Sequence, residues 1–166
     1  MSYNLNNAIQ GGSITLTTAA LTGLSGAAAT YSTGSTAMSF MVDGKFLSKA
    51  QVSGGTTPTA DGVTGAAFKV QAINTVCAYL WSVDASGNHH VTQGPIVPYT
   101  DTSAGSTDVP LPGLPGNDAP FAYSVIKNDS TGSSFTFGTS NWNQTGITVD
   151  TPVNLCNIPA AIPKTA

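Results

Sequence analysis

The stretch Val76-Cys77-Ala78-Tyr79-Leu80-Trp81-Ser82-Val83 is a nearly all-apolar run of strand length, and it ends in the turn-forming Asp84-Ala85-Ser86-Gly87-Asn88. Its apolar character and its turn boundary read as a central strand. Residues His89 to Val97 then return as its hairpin partner, until Pro95 and Pro98, which cannot donate ladder hydrogen bonds, turn that end into an edge.

Working outward, Met38-Ser39-Phe40-Met41-Val42 and Lys45-Phe46-Leu47-Ser48-Lys49 flank Asp43-Gly44, the two-residue connection that type I′ hairpins favour. Ser13 to Thr17 alternates with period two and reads as a short strand. Phe68, Val70 and Ala72 alternate with Lys69 and Gln71, which predicts another. Phe121 to Lys127 and Ser134 to Gly138 bracket a polar turn and predict a second hairpin, and Gly146 to Asp150 offers one more strand. Residues 53–62 and 99–120 are loops by their glycine and proline content. The fold class expected is all-β: an antiparallel β-sandwich or jelly-roll-like barrel with extended N-terminal and C-terminal arms. Residues 1–33 form the N-terminal arm with its short strand, 34–150 the body including the Pro-rich loop at 99–120, and 151–166 an extended tail.

Composition supports sheet over helix. Charged residues make up 8% of the 166, against about 25% in an ordinary soluble domain. All the acids are Asp and all the bases Lys, while Ser and Thr supply about a quarter of the chain. Glu and Arg favour helices and Thr favours strands. A net charge of −3 and five scattered Lys cannot neutralise a phosphate backbone, so nucleic acid is not an expected partner. No apolar run approaches the roughly 20 residues needed to cross a bilayer, so no membrane span is expected. The N-terminus lacks the basic start and apolar core of a signal peptide, so export by that route is not expected, and with a reducing site of synthesis Cys77 and Cys156 are expected to be buried free thiols.

Chemistry-bearing motifs are sparse. No phosphate loop, metalloprotease His pair or nucleophile elbow is present. Adjacent His89 and His90 on a strand point to opposite faces, cannot easily share a metal, and read as exposed residues flanking a turn. Asp84, Asp101, Asp108 and Asp129 lie in expected loops, where Asp side chains bond nearby backbone groups. No catalytic residue, cofactor or metal is therefore expected. Trp81 belongs to the apolar run and reads as core, whereas Trp142, between Asn141 and Asn143, reads as an exposed contact.

Thr30-Tyr31-Ser32-Thr33-Gly34, Met41-Val42-Asp43-Gly44-Lys45 and Thr57 to Phe68, followed downstream by Asp84 to Asn88, Gln93-Gly94, Leu114-Pro115, Tyr123 to Lys127 and Phe135 to Asn141, resemble small structural proteins of tailed bacteriophages. The likeness covers roughly residues 30–149 and consists of turn and strand motifs. It implies a non-enzymatic virion protein on the capsid exterior, made in the bacterial host cytoplasm: a head decoration or cement protein that clamps adjacent copies of the major capsid protein. The alternative is a tail-fibre or receptor- or carbohydrate-binding module. The candidate interface comprises Tyr3, Leu5 and Ile9 in the N-terminal arm, Val109, Leu111 and Leu114 in the Pro-rich loop, Trp142, and Ile158 and Ile162 in the tail. So little charge also leads us to expect a homo-oligomer, with a trimer favoured.

Overall fold

The computed structural model describes residues 12–99 and 109–155, and among these the chain is all-β, with antiparallel sheets and no helix. The central strand is β6 (Thr75–Val83), buried along nearly its whole length. It pairs antiparallel with β9 (Ala119–Asn128), from Thr75 opposite Asn128 to Val83 opposite Ala119, with an irregularity between Trp81 and Ser82. On its other side lies β7 (His89–Gln93), reached through a turn in which Asp84 Oδ1 accepts from the Ser86 and Asn88 amides, each at 2.8 Å. As the prolines require, β7 stops at Gln93, and the chain rejoins β6 only at β8 (Val97–Pro98). With β10 (Ile147–Val149) and β11 (Val153–Asn154) on the far side of β9, these strands make a six-stranded sheet.

A three-stranded sheet in the order β1-β3-β4 comprises β1 (Ile14–Thr15), β3 (Met38–Val42) and β4 (Lys45–Lys49). Asp43 and Gly44 both take positive φ, 50° and 74°, as the type I′ connection demands, and Val42 faces Lys45. A two-stranded ribbon joins β2 (Thr30–Tyr31) to β5 (Gly55–Thr56). The burial of Met38, Phe40 and Val42 on alternate β3 positions turns one face of the small sheet to the shared core. The aromatic centre of that core holds Tyr79 stacked on Phe137 at 4.3 Å, with Trp81, Phe68 and Trp142 edge-on to Phe137.

The expected fold class holds in its β-sandwich form: among the described residues the strand orders do not close on themselves into a barrel. Three expectations are corrected. Phe68 to Ala72 is not a strand: Phe68 and Gln71 are buried while Val70 is 57% exposed, which breaks the alternation. Its backbone is satisfied instead by the Gln93 side chain, which accepts from Lys69 N at 2.8 Å and donates to Lys69 O at 2.9 Å, and by paired bonds between Gln71 and Phe135. Nor does Ser134 to Gly138 return along β9, because β6 holds one edge of that strand and β10 and β11 the other. Phe135 and Phe137 both enter the core from a turn closed by Ser140 N to Thr136 O at 2.9 Å. The boundary at residue 33 also moves, since Ala19, Leu21, Leu24 and Tyr31 are core residues, making the described part of the expected arm integral to the body. At the other end, Asn154 Oδ1 accepts from Leu21 N at 3.1 Å, tying the beginning of the expected tail to the same layer.

Candidate interaction surface

Strand alternation sends Ser82, His90, Thr92 and Gly94 to the face of the six-stranded sheet opposite the aromatic core. Asp118, just before β9, gathers two of them: its Oδ2 lies 2.7 Å from His90 Nδ1 and accepts from Ser82 Oγ at 2.9 Å. The Pro-rich segment crosses this face. A side chain at Gly94 would lie 2.9 Å from both the Ala78 and Pro110 carbonyl oxygens, so only glycine allows the segment to come this close. At Gly62 the His90 Cβ and a Pro115 ring carbon crowd the same position. The described part of the 99–120 loop therefore folds over its own sheet.

A second knot forms beside the β7 edge. The Asp61 carboxylate accepts from the Val63 and Thr64 amides and the Thr64 hydroxyl through Oδ1, and from Gln93 N at 2.8 Å through Oδ2. Burial raises its pKa, but these donors outweigh burial and hold the carboxyl below its ordinary value. The knot and the Pro-rich segment form the two sides of a cavity of about 780 Å³, whose lining includes Val63, Lys69, Thr92, Gln93, Leu111 and Leu114. Val63 is 55% exposed, Leu111 52% and Leu114 39%, so its apolar rim faces outward. Asp61 carries charge here, yet its oxygens are occupied by donors from its own loop and from Gln93 on β7, and the groove is dominated by apolar and hydroxyl surface.

Of the candidate interface residues, Leu111 and Leu114 come together on this rim, and Val109 is half-buried at the start of the same segment. Trp142 is corrected: it is 2% exposed, packs on Phe135 and Phe137, and donates from Nε1 to Thr30 O at 2.8 Å. Exposed Asn141 and Asn143 flank it, so the polar neighbours mark a tight turn rather than an exposed ring. Tyr3, Leu5, Ile9, Ile158 and Ile162 lie outside the described residues, as do Cys156, Asp101 and Asp108. The pattern overlooks Asp61 and Val63, although Asp followed three residues later by Thr is a recognisable side-chain-capped turn.

The remaining polar groups serve as braces. Asp84 is held below its ordinary pKa because hydrogen bonds from Asn88 and Ser86 outweigh its burial. Asp129 is lowered by the Thr131 hydroxyl and amide. Cys77 is a free, fully buried thiol that burial pushes up to about 11. His89 is no exposed flank: its ring lies 5.0 Å from Phe121 and 5.6 Å from Tyr31. Among the described residues no three His, Cys, Asp or Glu side chains gather as metal ligands, and no helix is long and apolar enough to cross a membrane. Comparison of the chain with protein-family models, with curated proteins and with solved structures finds no match.

Proposed function

We propose that this chain is a non-enzymatic structural protein of a tailed-bacteriophage virion, a decoration or cement protein that binds the major capsid protein on the head exterior and clamps adjacent subunits. The observation that carries the binding role is the outward-facing rim of Val63, Leu111 and Leu114, held on a braced scaffold. Apolar side chains exposed together beside a groove favour a protein partner. The virion assignment rests on the sequence resemblance, and it fits a surface solvated by hydroxyls and amides rather than by charge.

Burial of Trp142 weighs against the carbohydrate-binding alternative, because it withdraws the aromatic platform on which a sugar ring would stack. The homo-oligomer, with a trimer favoured, is part of the proposal and is tested by solution mass. Immunogold labelling of particles carrying the chain tests placement: gold on heads is the expected outcome, and gold confined to tails overturns the decoration role. Replacing both Leu111 and Leu114 by Ser tests the surface. Particle occupancy should fall while the isolated protein melts at its original temperature; unchanged occupancy places attachment elsewhere.

A further inference from the structure

On the core face, β7 presents His89 to the β2–β5 ribbon. Its Nδ1 lies 2.7 Å from the Tyr31 hydroxyl, a side-chain bond between the ribbon and the six-stranded sheet. Tyr31 also packs on Trp81 at 4.9 Å, and the Thr30 carbonyl beside it receives the Trp142 indole N–H. The other imidazole nitrogen, Nε2, is buried and has no hydrogen-bond partner among the described residues. Such a site suits a neutral ring, in which one nitrogen meets the Tyr31 hydroxyl and only one is unmatched.

Protonation changes that balance. Both ring nitrogens then become donors: one must face the hydroxyl oxygen, forcing the Tyr31 hydrogen aside, and the other remains a buried N–H without an acceptor, now on a cation. The groups facing the ring do not compensate. Lys49, at the end of β4, and His90, next on β7, oppose a positive charge, and among the described residues Asp84 in the preceding turn acts in the opposite sense without outweighing burial. Tyr31 from β2 and Phe121 from β9 supply no negative charge, since burial raises the Tyr31 pKa and keeps its phenol protonated.

We infer that the Tyr31–His89 pair is an acid-released latch between the β2–β5 ribbon and the six-stranded sheet, closed while the imidazole is neutral and opened when it takes up a proton. The latch is independent of the virion assignment. Burial, reinforced by Lys49 and His90, pushes the His89 pKa down from 6.5 to about 4, so the opening belongs to mildly acidic solution. The sign follows from linkage. Above pH 6.5 the ring is neutral folded or unfolded and the latch contributes fully; as pH falls from 6.5 toward about 4 the unfolded or opened state binds the proton first and closure weakens.

Hydrogen exchange on the full chain between pH 7 and pH 4.5, corrected for intrinsic rates, tests it. In the wild type, protection at Thr57, whose amide donates to Ala29 O at 3.0 Å across the ribbon, should fall about tenfold or more relative to β6 and β9, one pH unit of linkage being a factor of ten. His89→Asn should remove that selective loss, while His90→Asn should retain it. Equal loss across all strands, or the same pH profile in His89→Asn, overturns the latch. Should His89→Asn fail to fold, an NMR titration of the wild-type imidazole decides: a His89 midpoint well below 6.5 is expected, and one at or above 6.5 overturns the inference.

Discussion

The two faces of the six-stranded sheet are built from alternate residues of the same strands and are closed in different ways. On the inner face, His89, Trp81 and Tyr79 meet aromatic rings from the ribbon, from β9 and from the 135–142 turn. On the outer face, Ser82, His90 and Gly94 meet Asp118 and a proline-rich segment whose leucines remain partly exposed. The first is closed by dispersion and apolar burial and the second by a few hydrogen bonds and close backbone approach. That division places most of the stabilisation on the inner face and a smaller share on the outer face.

The largest expected effect lies inside. Trp142→Ala should destabilise the fold by roughly 3–5 kcal/mol, the range for truncating a buried aromatic, and should also orphan the Thr30 carbonyl. Chemical denaturation measures it; a loss below about 1 kcal/mol would mean that the ring does not close the core. On the outer face, Asp118→Ala removes the shared acceptor of Ser82 and His90 and should cost about 1–3 kcal/mol, less than the inner substitution. An equal or larger cost would erase the contrast between the faces.

Acid sharpens the comparison at the β7 edge. The Asp61 carboxyl, depressed in the folded state, contributes stability that is fully present above its ordinary value of 3.8 and is lost as pH falls through the lower folded value. Asp61→Asn should therefore flatten the stability profile below pH 3.8 and leave the His89 window between 6.5 and about 4 in place. Melting curves at stepped pH separate the two. The smallest effect should be Lys127→Ala: its partner Asp150 lies 3.1 Å away, but both side chains are about a third or more exposed, and such pairs contribute about 0–1 kcal/mol.

Local chemistry was sufficient wherever one segment meets its immediate neighbour in the chain. The run Val76 to Val83, its Asp84 to Asn88 turn and its return strand, and the hairpin across Asp43-Gly44 follow from side-chain period and turn dihedrals. Period failed where the partner was distant or was not a strand. Phe68 to Ala72 alternates on paper, but a glutamine side chain takes the place of a neighbouring strand, and nothing near residue 68 in sequence foretells Gln93. On the surface, exposed Leu111 and Leu114 were legible as apolar residues in a proline-rich loop, while their groove partners around Asp61 lie some fifty residues earlier.

The sequence by itself determined that this is an antiparallel all-β chain, that β6 is its centre, and that its surface is solvated by hydroxyls and amides. These depend on composition, period and turn residues, which act over a few positions. Tertiary structure alone decided that Trp142 is buried, that residues 19–31 belong to the body, and that His89 faces the ribbon while His90 faces Asp118. Strand alternation guarantees opposite faces for adjacent histidines, but which face receives the aromatic layer depends on long-range packing, and no local property of the chain encodes it.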